Sequence, residues 1–304
     1  MDTDWLLYRL TGQWVMDHST ATTFHLQEQR SGTYYAPFLE RLEIPRAKLS
    51  ALVGSGAAVG PLTATARRET GLSPRTVVVT GCFDHPAAAR AVGVESPGQL
   101  MLSCGTSWVG FAPCPGRQAV LDANMLCDPF LSADGGPWAG MFSVPQIGQT
   151  IEWYIDHVIA PGEHDRLHIF NESAAAAPPG AGGLRIDLRE APRPPDASRA
   201  CVSRAVMEGA ARLLNEKLAA LRDGGFRYER AVMVGGPAGS PVWPGIVAGI
   251  TGLEVEVGTR SAGARGAARL AGEGIGRENS KWQIANSREQ TENEDVKKHR
   301  ANGK

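Results

Sequence analysis

The 304-residue chain is poor in several features that would otherwise narrow its class. It has five cysteines, at 82, 104, 114, 127 and 201, odd in number and scattered, with no Cys-x-x-Cys pair. That pattern argues against a disulfide framework or a zinc site and fits a reducing cytosol. Charge of one sign is lacking too: 31 basic against 32 acidic residues leave a formal net charge of −1. No electrostatic footprint calls for nucleic acid or an anionic membrane as partner. No apolar run is long enough to span a bilayer, and MDTDWLLYRLTG lacks the basic region and apolar core of a secretory signal. What remains, 42% hydrophobic and 21% charged residues, is the composition of a soluble globular protein with room for about two domains.

Several elements can be read along the chain. Residues 4–12 form a short apolar helix closed by Gly12, and a second helix near 35–42 stops at Pro45. ALVGSGAAVGPL (51–62) holds a Gly-x-Gly, but its third glycine is misplaced and Pro61 would break the helix a dinucleotide site needs. A glycine-rich loop between packed elements is the better reading. TVVVT (76–80) reads as a buried strand, followed by a helix that ends at Gly93. QLMLS (99–103) is a strand that runs through CGTS into a returning strand, WVGF. Residues 144–159 and 198–225 read as helices. In the second, Val202, Ala205, Val206, Ala210, Leu213, Leu214, Leu218 and Leu221 make one apolar stripe, with Ser198 and Gly224 as caps. Strand 230–236 ends in a glycine turn, and a helix to about 252, strand 253–257 and helix 261–272 follow. From 277 the chain is polar, with too little apolar surface to offset ordering entropy, so a disordered tail is expected. The recurrence of strand, glycine turn and helix makes the class α/β, with ligands expected at carboxyl ends of strands.

Three places could carry chemistry, each with a plain structural alternative. Asp84, before His-Pro at a helix start, is an N-cap or a general base. Gly105-Thr106-Ser107 is an ordinary turn or a phosphate cradle of backbone N–H groups and hydroxyls. Gly235-Gly236 is a strand turn or a nucleotide contact. Cys104 as a nucleophile, with His85 as its base, is a separate reading from another enzyme class.

Taken in order, TGL (70–72), VVVTGCFDHPAAARAVGV, LMLSCGTS, RAVMEGAA (204–211) and VMVGGPAGSPVWPGIVAGITGLEVEV resemble the FGGY family of carbohydrate kinases. So do DWLLYRLTG and Asp17-His18-Ser19. The resemblance implies an actin-like ATPase (RNase-H-like) fold, with ATP and sugar in a cleft between two domains. It implies a partial first domain at 1–96, a more complete second domain at 97–276, and the tail at 277–304. Asp84 then takes the proton of a sugar hydroxyl as that hydroxyl attacks the γ-phosphate. Gly105, Thr106 and Ser107 form a phosphate turn, and Gly235, Gly236, Ala238 and Ser240 form the adenosine turn. Glu208 is structural. ATP and Mg²⁺ are the implied cofactors and a small sugar or polyol the substrate, in the cytoplasm, with a homodimer as an admissible assembly and no metal-ligating residue identified. Two departures stand out. The Asp-x-Gly-Thr hairpin that opens such kinases does not occur ahead of these motifs, and Pro237 replaces a glycine and removes an N–H. The missing hairpin implies an unpaired sheet edge, an exposed apolar face and little turnover, and it keeps a non-catalytic nucleotide- or sugar-binding relative as the alternative.

Overall fold

The computed structural model describes residues 1–105, 107–144 and 147–276. They divide into two compact units: Met1–Ala87 with the described residues from Arg265, and Ala88–Ala264. The tail expected from 277 lies outside the described residues.

In the first unit, α1 (Asp2–Thr11) ends where Gly12 turns left-handed at φ 78°, a conformation glycine adopts without a Cβ penalty. The chain continues through β1 (Val15–Asp17), α2 (His18–Ala21), β2 (Gln27–Glu28), β3 (Thr33–Tyr34) and α3 (Ala36–Arg41). Then come β4 (Ala51–Val53), β5 (Ala58–Pro61), α4 (Ala64–Thr70), β6 (Val77–Val79) and the start of α5 (Asp84–Ala91). The strands pair only two by two: β1 with β4 in parallel, β2 with β3 and β5 with β6 antiparallel. The Gly-x-Gly at 54–56 is the turn from β4 to β5. Gly56 lies at φ 74°, and a Cβ there would sit 2.8 Å from Leu270. A small cluster of Leu7, Val59, Leu62, Ala66 and Val78 is buried. The opposite side of α1 leaves Trp5 51% and Leu6 52% exposed.

The second unit is built on one mixed six-stranded sheet. Its strands are β7 (Gln99–Cys104), β8 (Trp108–Cys114), β9 (Leu126–Asp128), β10 (Trp138–Val144), β11 (Arg230–Gly235) and β12 (Glu254–Val257). The order is β12-β11-β7-β8-β10-β9. β7, β8, β10 and β9 form an antiparallel run, and β11 and β12 extend it in parallel from β7. Its helices are α6 (Arg117–Asp122), α7 (Ile147–Tyr154), α8 (Arg166–Ala176), α9 (Arg199–Asp223) and α10 (Trp243–Thr251), and α11 (Ala262–Gly276) follows. The expected helix over 144–159 begins at Ile147 and finishes as a π-helical turn, Ile155–Ile159; residues 145 and 146 of that span lie outside the described residues. α9 follows its apolar stripe: Val202, Val206, Leu214 and Leu218 are almost wholly buried, and Ser198 Oγ accepts the Cys201 N–H at 3.3 Å.

Glu208 is structural, as its place beside a packing glycine suggests. Its Oε1 accepts the Gly180 N–H and Arg204 Nε, both at 2.9 Å. A Cβ on the next residue, Gly209, would lie 2.6 Å from the Ile186 carbonyl.

Candidate nucleotide site and catalytic carboxylate

Parallel strands β7 and β11 run side by side, with Gly235 opposite Cys104 in register, so their carboxyl ends release two turns at one edge. Gly235 sits at φ 95°, and a Cβ there would collide with the Cys104 carbonyl oxygen. Both conditions demand glycine. The turn after β7 is closed by Gly105 N–H to Ser107 O at 3.3 Å; Thr106, between them, lies outside the described residues. After β11, Gly236–Gly239 make one 3₁₀ turn, in which Ala238 is buried.

The two turns open on a cavity of about 550 Å³ whose lining includes Gly105, Gly236 and Ser240, within the size range of small-molecule sites. Its apolar walls come from three segments distant in sequence. Trp108 and Trp243 pack with ring centroids 5.2 Å apart, and Phe170 lies 6.4 Å from Trp243. Ile151 and Ile155 complete the apolar face, and Gln149, Glu152 and Asn171 add polar groups. Ser240 lines this cavity with its hydroxyl already committed: Oγ accepts the Val242 and Trp243 N–H groups at 3.1 and 3.2 Å and donates to Asn171 Oδ1. It therefore fastens the turn to α10 and α8. Gln149, Glu152, Phe170 and Asn171 carry no signal in the sequence, because α8 has no clean apolar stripe and these residues meet only in three dimensions.

Cys104 is 1% exposed and its thiol donates to the Leu102 carbonyl. Burial pushes its pKa far up, which disfavours the thiolate that a nucleophile requires, although Cys104 is among the residues lining the cavity. His85 is held below its usual range by burial, with Asp84 opposing the shift.

Asp84 belongs to the first unit. It is the first residue of α5, and its Oδ1 accepts the His85 N–H at 2.8 Å. The carboxylate is 70% exposed. The turn ahead of it is pinned by Ser19, whose Oγ accepts the Phe83 N–H at 3.2 Å; Asp17 caps α2, its Oδ1 accepting Thr20 N–H at 2.9 Å and Ser55 Oγ at 3.2 Å. On the other side of the turn, Thr80 Oγ1 donates to Gly54 O at 2.9 Å. Ser19 of the Asp17-His18-Ser19 segment thus braces the Asp84 turn, while Asp17 ties that segment to the turn between β4 and β5.

Residues 1–91 match the N-terminal domain of the FGGY family of carbohydrate kinases. Over 308 aligned positions the chain is 28% identical to an autoinducer-2 kinase of Yersinia enterocolitica, covering 91% of this chain and 57% of that relative. The chain therefore spans little more than half the length of such relatives. Among solved structures, a xylulose kinase from Rhodospirillum rubrum is 24% identical with a TM-score of 0.72, over 91% of this chain and 59% of that one. A ligand-bound xylulose kinase from Lactobacillus acidophilus reaches 0.77 at 19% identity, over the same shares. The fold is the actin-like ATPase fold of these kinases, and within it residues 1–91 carry the similarity to the FGGY N-terminal domain.

Proposed function

We propose that the chain serves ATP-dependent phosphorylation of a small sugar or polyol, with adenosine held in the second-unit cavity. The observation that carries the reading is the pair of glycine turns at the ends of adjacent β7 and β11, opening on an apolar cavity. Such turns present backbone N–H groups to phosphate, and the Trp108, Phe170 and Trp243 walls suit a flat heterocycle. On this reading Gly105, Thr106 and Ser107 receive phosphate, and Gly236 and Ala238 border the nucleoside. Gly235 permits the close strand approach, and Ser240 positions the turn.

Asp84 is assigned as the base. The sugar oxygen attacks the γ-phosphorus, the bond from that phosphorus to the bridging oxygen breaks, ADP leaves, and the hydroxyl proton passes to the Asp84 carboxylate. Phosphoryl transfer asks mainly for positioning and charge neutralisation, and an exposed carboxylate on a braced turn supplies the proton acceptor. Mg²⁺ neutralises phosphate charge when bound with nucleotide. Among the described residues no three acidic, His or Cys side chains stand together as a metal cage, and Mg²⁺ carried largely by substrate phosphates needs none. The reading includes a reducing cytosolic setting, in keeping with five cysteines that form no disulfide with one another, and a homodimer. Among the described residues no helix is long and apolar enough to cross a membrane.

The test is a coupled assay of sugar-dependent ADP release over pentuloses, hexoses, polyols and autoinducer-2, with Asp84→Asn alongside. Asp84→Asn should cut turnover by about 10² to 10⁴; turnover unchanged in that variant sinks the base assignment. ATP should raise the melting temperature, and Gly236→Val should abolish the rise. A Cβ on Gly236 meets no atom within 4 Å, so the variant can fold. An ATP shift that survives it removes adenosine from this cavity. A chain that binds ATP but releases no ADP with any sugar is the non-catalytic relative.

A further inference from the structure

One wall of the cavity is α7 with its π-helical turn, and the other is α8. The N-terminus of α8 lacks a side-chain cap, and a single guanidinium holds it. Arg166, the first residue of α8, reaches Glu152 Oε2 at 2.6 Å and Asp156 Oδ1 at 2.5 Å through the same nitrogen, Nη1. Glu152 lines the cavity from α7, while Leu167, Phe170 and Asn171 line it from α8. One turn further on, Asn171 receives the Ser240 hydroxyl and donates to Leu167 O at 2.8 Å. The α8 wall is thus fastened twice, by an exposed ion-pair clip at its start and by an amide at the glycine turn.

We propose that Arg166 is a positioning residue of this cavity, setting the gap between α7 and α8 through Glu152 and Asp156. The proposal rests on reading the cavity as the adenosine site. Arg166 is 37% exposed and its partners 50% and 48%, so the clip contributes little to global stability. Its effect falls on binding, because a loosened wall must be ordered again by the ligand. A clip of exposed charges is also screened by salt. Salt should therefore weaken binding even of adenosine, which carries no charge of its own.

The experiment is titration calorimetry of the full chain with adenosine and with ATP. Arg166→Met should raise the Kd for both by about fivefold, the scale of losing two exposed ion pairs. Arg166→Lys, which restores a cation, should recover most of that. Asp156→Asn, outside the cavity lining, should shift both in the same direction by less. Raising salt from about 0.05 to about 0.5 M shortens the screening length severalfold. It should weaken adenosine binding to the unaltered chain and leave Arg166→Met flat. Equal adenosine affinity in Arg166→Met and the unaltered chain overturns the proposal. So does a loss confined to ATP, which would mean that Arg166 acts on phosphate charge alone. An unaltered chain that binds neither ligand removes the adenosine reading itself, and the proposal with it.

Discussion

In the second unit α9 buries Val202, Val206, Leu214 and Leu218 within a continuous cluster that runs from Leu100 to Leu253. In the first, α1 buries Leu7 in a much smaller cluster and leaves Trp5, Leu6 and Tyr8 at the surface, with Trp14 stacked on Tyr8 at 4.5 Å. The first unit leans instead on polar bonds between loops. Ser50 Oγ donates to Asp4 Oδ2 at 2.7 Å, Ser55 to Asp17, and Thr80 to Gly54. Apolar burial scales with area removed from water, whereas each hydrogen bond nets about 1 kcal/mol. One unit is therefore organised by a core and the other by braced turns, and the braced turns carry Asp84.

The contrast can be broken most sharply at a glycine. Gly235→Ala combines a left-handed φ with a collision against Cys104 and should cost about 3 kcal/mol or more, measured by urea unfolding. Gly12→Ala in the first unit, at φ 78° with no atom within 4 Å, should cost about 1 kcal/mol. A smaller cost at 235 than at 12 would mean that the β7–β11 approach is not tight. Next comes a matched core pair. Leu214→Ala should lose about 3 kcal/mol, within the usual range for a fully buried leucine, and Leu7→Ala about half of that, because its small cluster can collapse around the gap. Equal losses would erase the distinction between core and braces.

A surface change should act on association more than on folding. Trp5→Gln with Leu6→Gln should reduce self-association in light scattering and shift the melting temperature by a few degrees at most, since both side chains are half exposed. The smallest effect is expected at Asp17, whose carboxyl burial holds above its usual range, against hydrogen bonds from Thr20, Ser55 and Ser19 that lower it. With the folded pKa above the unfolded one, stability is greatest at acid pH and falls as pH rises from the ordinary carboxylate range through the raised value. Asp17→Asn keeps an acceptor for Thr20 N–H and removes the charge. It should flatten that slope and raise stability near neutral pH by less than about 1 kcal/mol. A steeper slope in Asp17→Asn would assign the pH dependence to another group.

Much of the local structure was legible in the residues. The 3.6-residue stripe of α9 between Ser198 and Gly224, the β-branched run at 77–79 and Gly12 as a helix stop each state their own geometry. The glycine turns at 105 and 235–236 were visible as turns, and order along the chain linked them to one family. β9, β10 and α8 were not legible. WAGMFSV (138–144) is buried on both faces apart from the half-buried Trp138 and the exposed Ser143 and so shows no alternation. Nor could a linear division of the chain show that the described residues from Arg265 return to the first unit, where Gly266 lies against Ala87 and Gly274 against Gly56.

By itself the sequence determined which segments are helix, strand or turn wherever periodicity or a glycine sets local geometry, because those preferences act within a few residues. Only the tertiary structure decided that Cys104 is buried and that Ser240 is a fastener. It also brought Trp108, Phe170 and Trp243 to one cavity and made Gly235 irreplaceable. Burial, hydrogen-bond saturation and close backbone approach depend on residues far apart along the chain, and no local pattern encodes them.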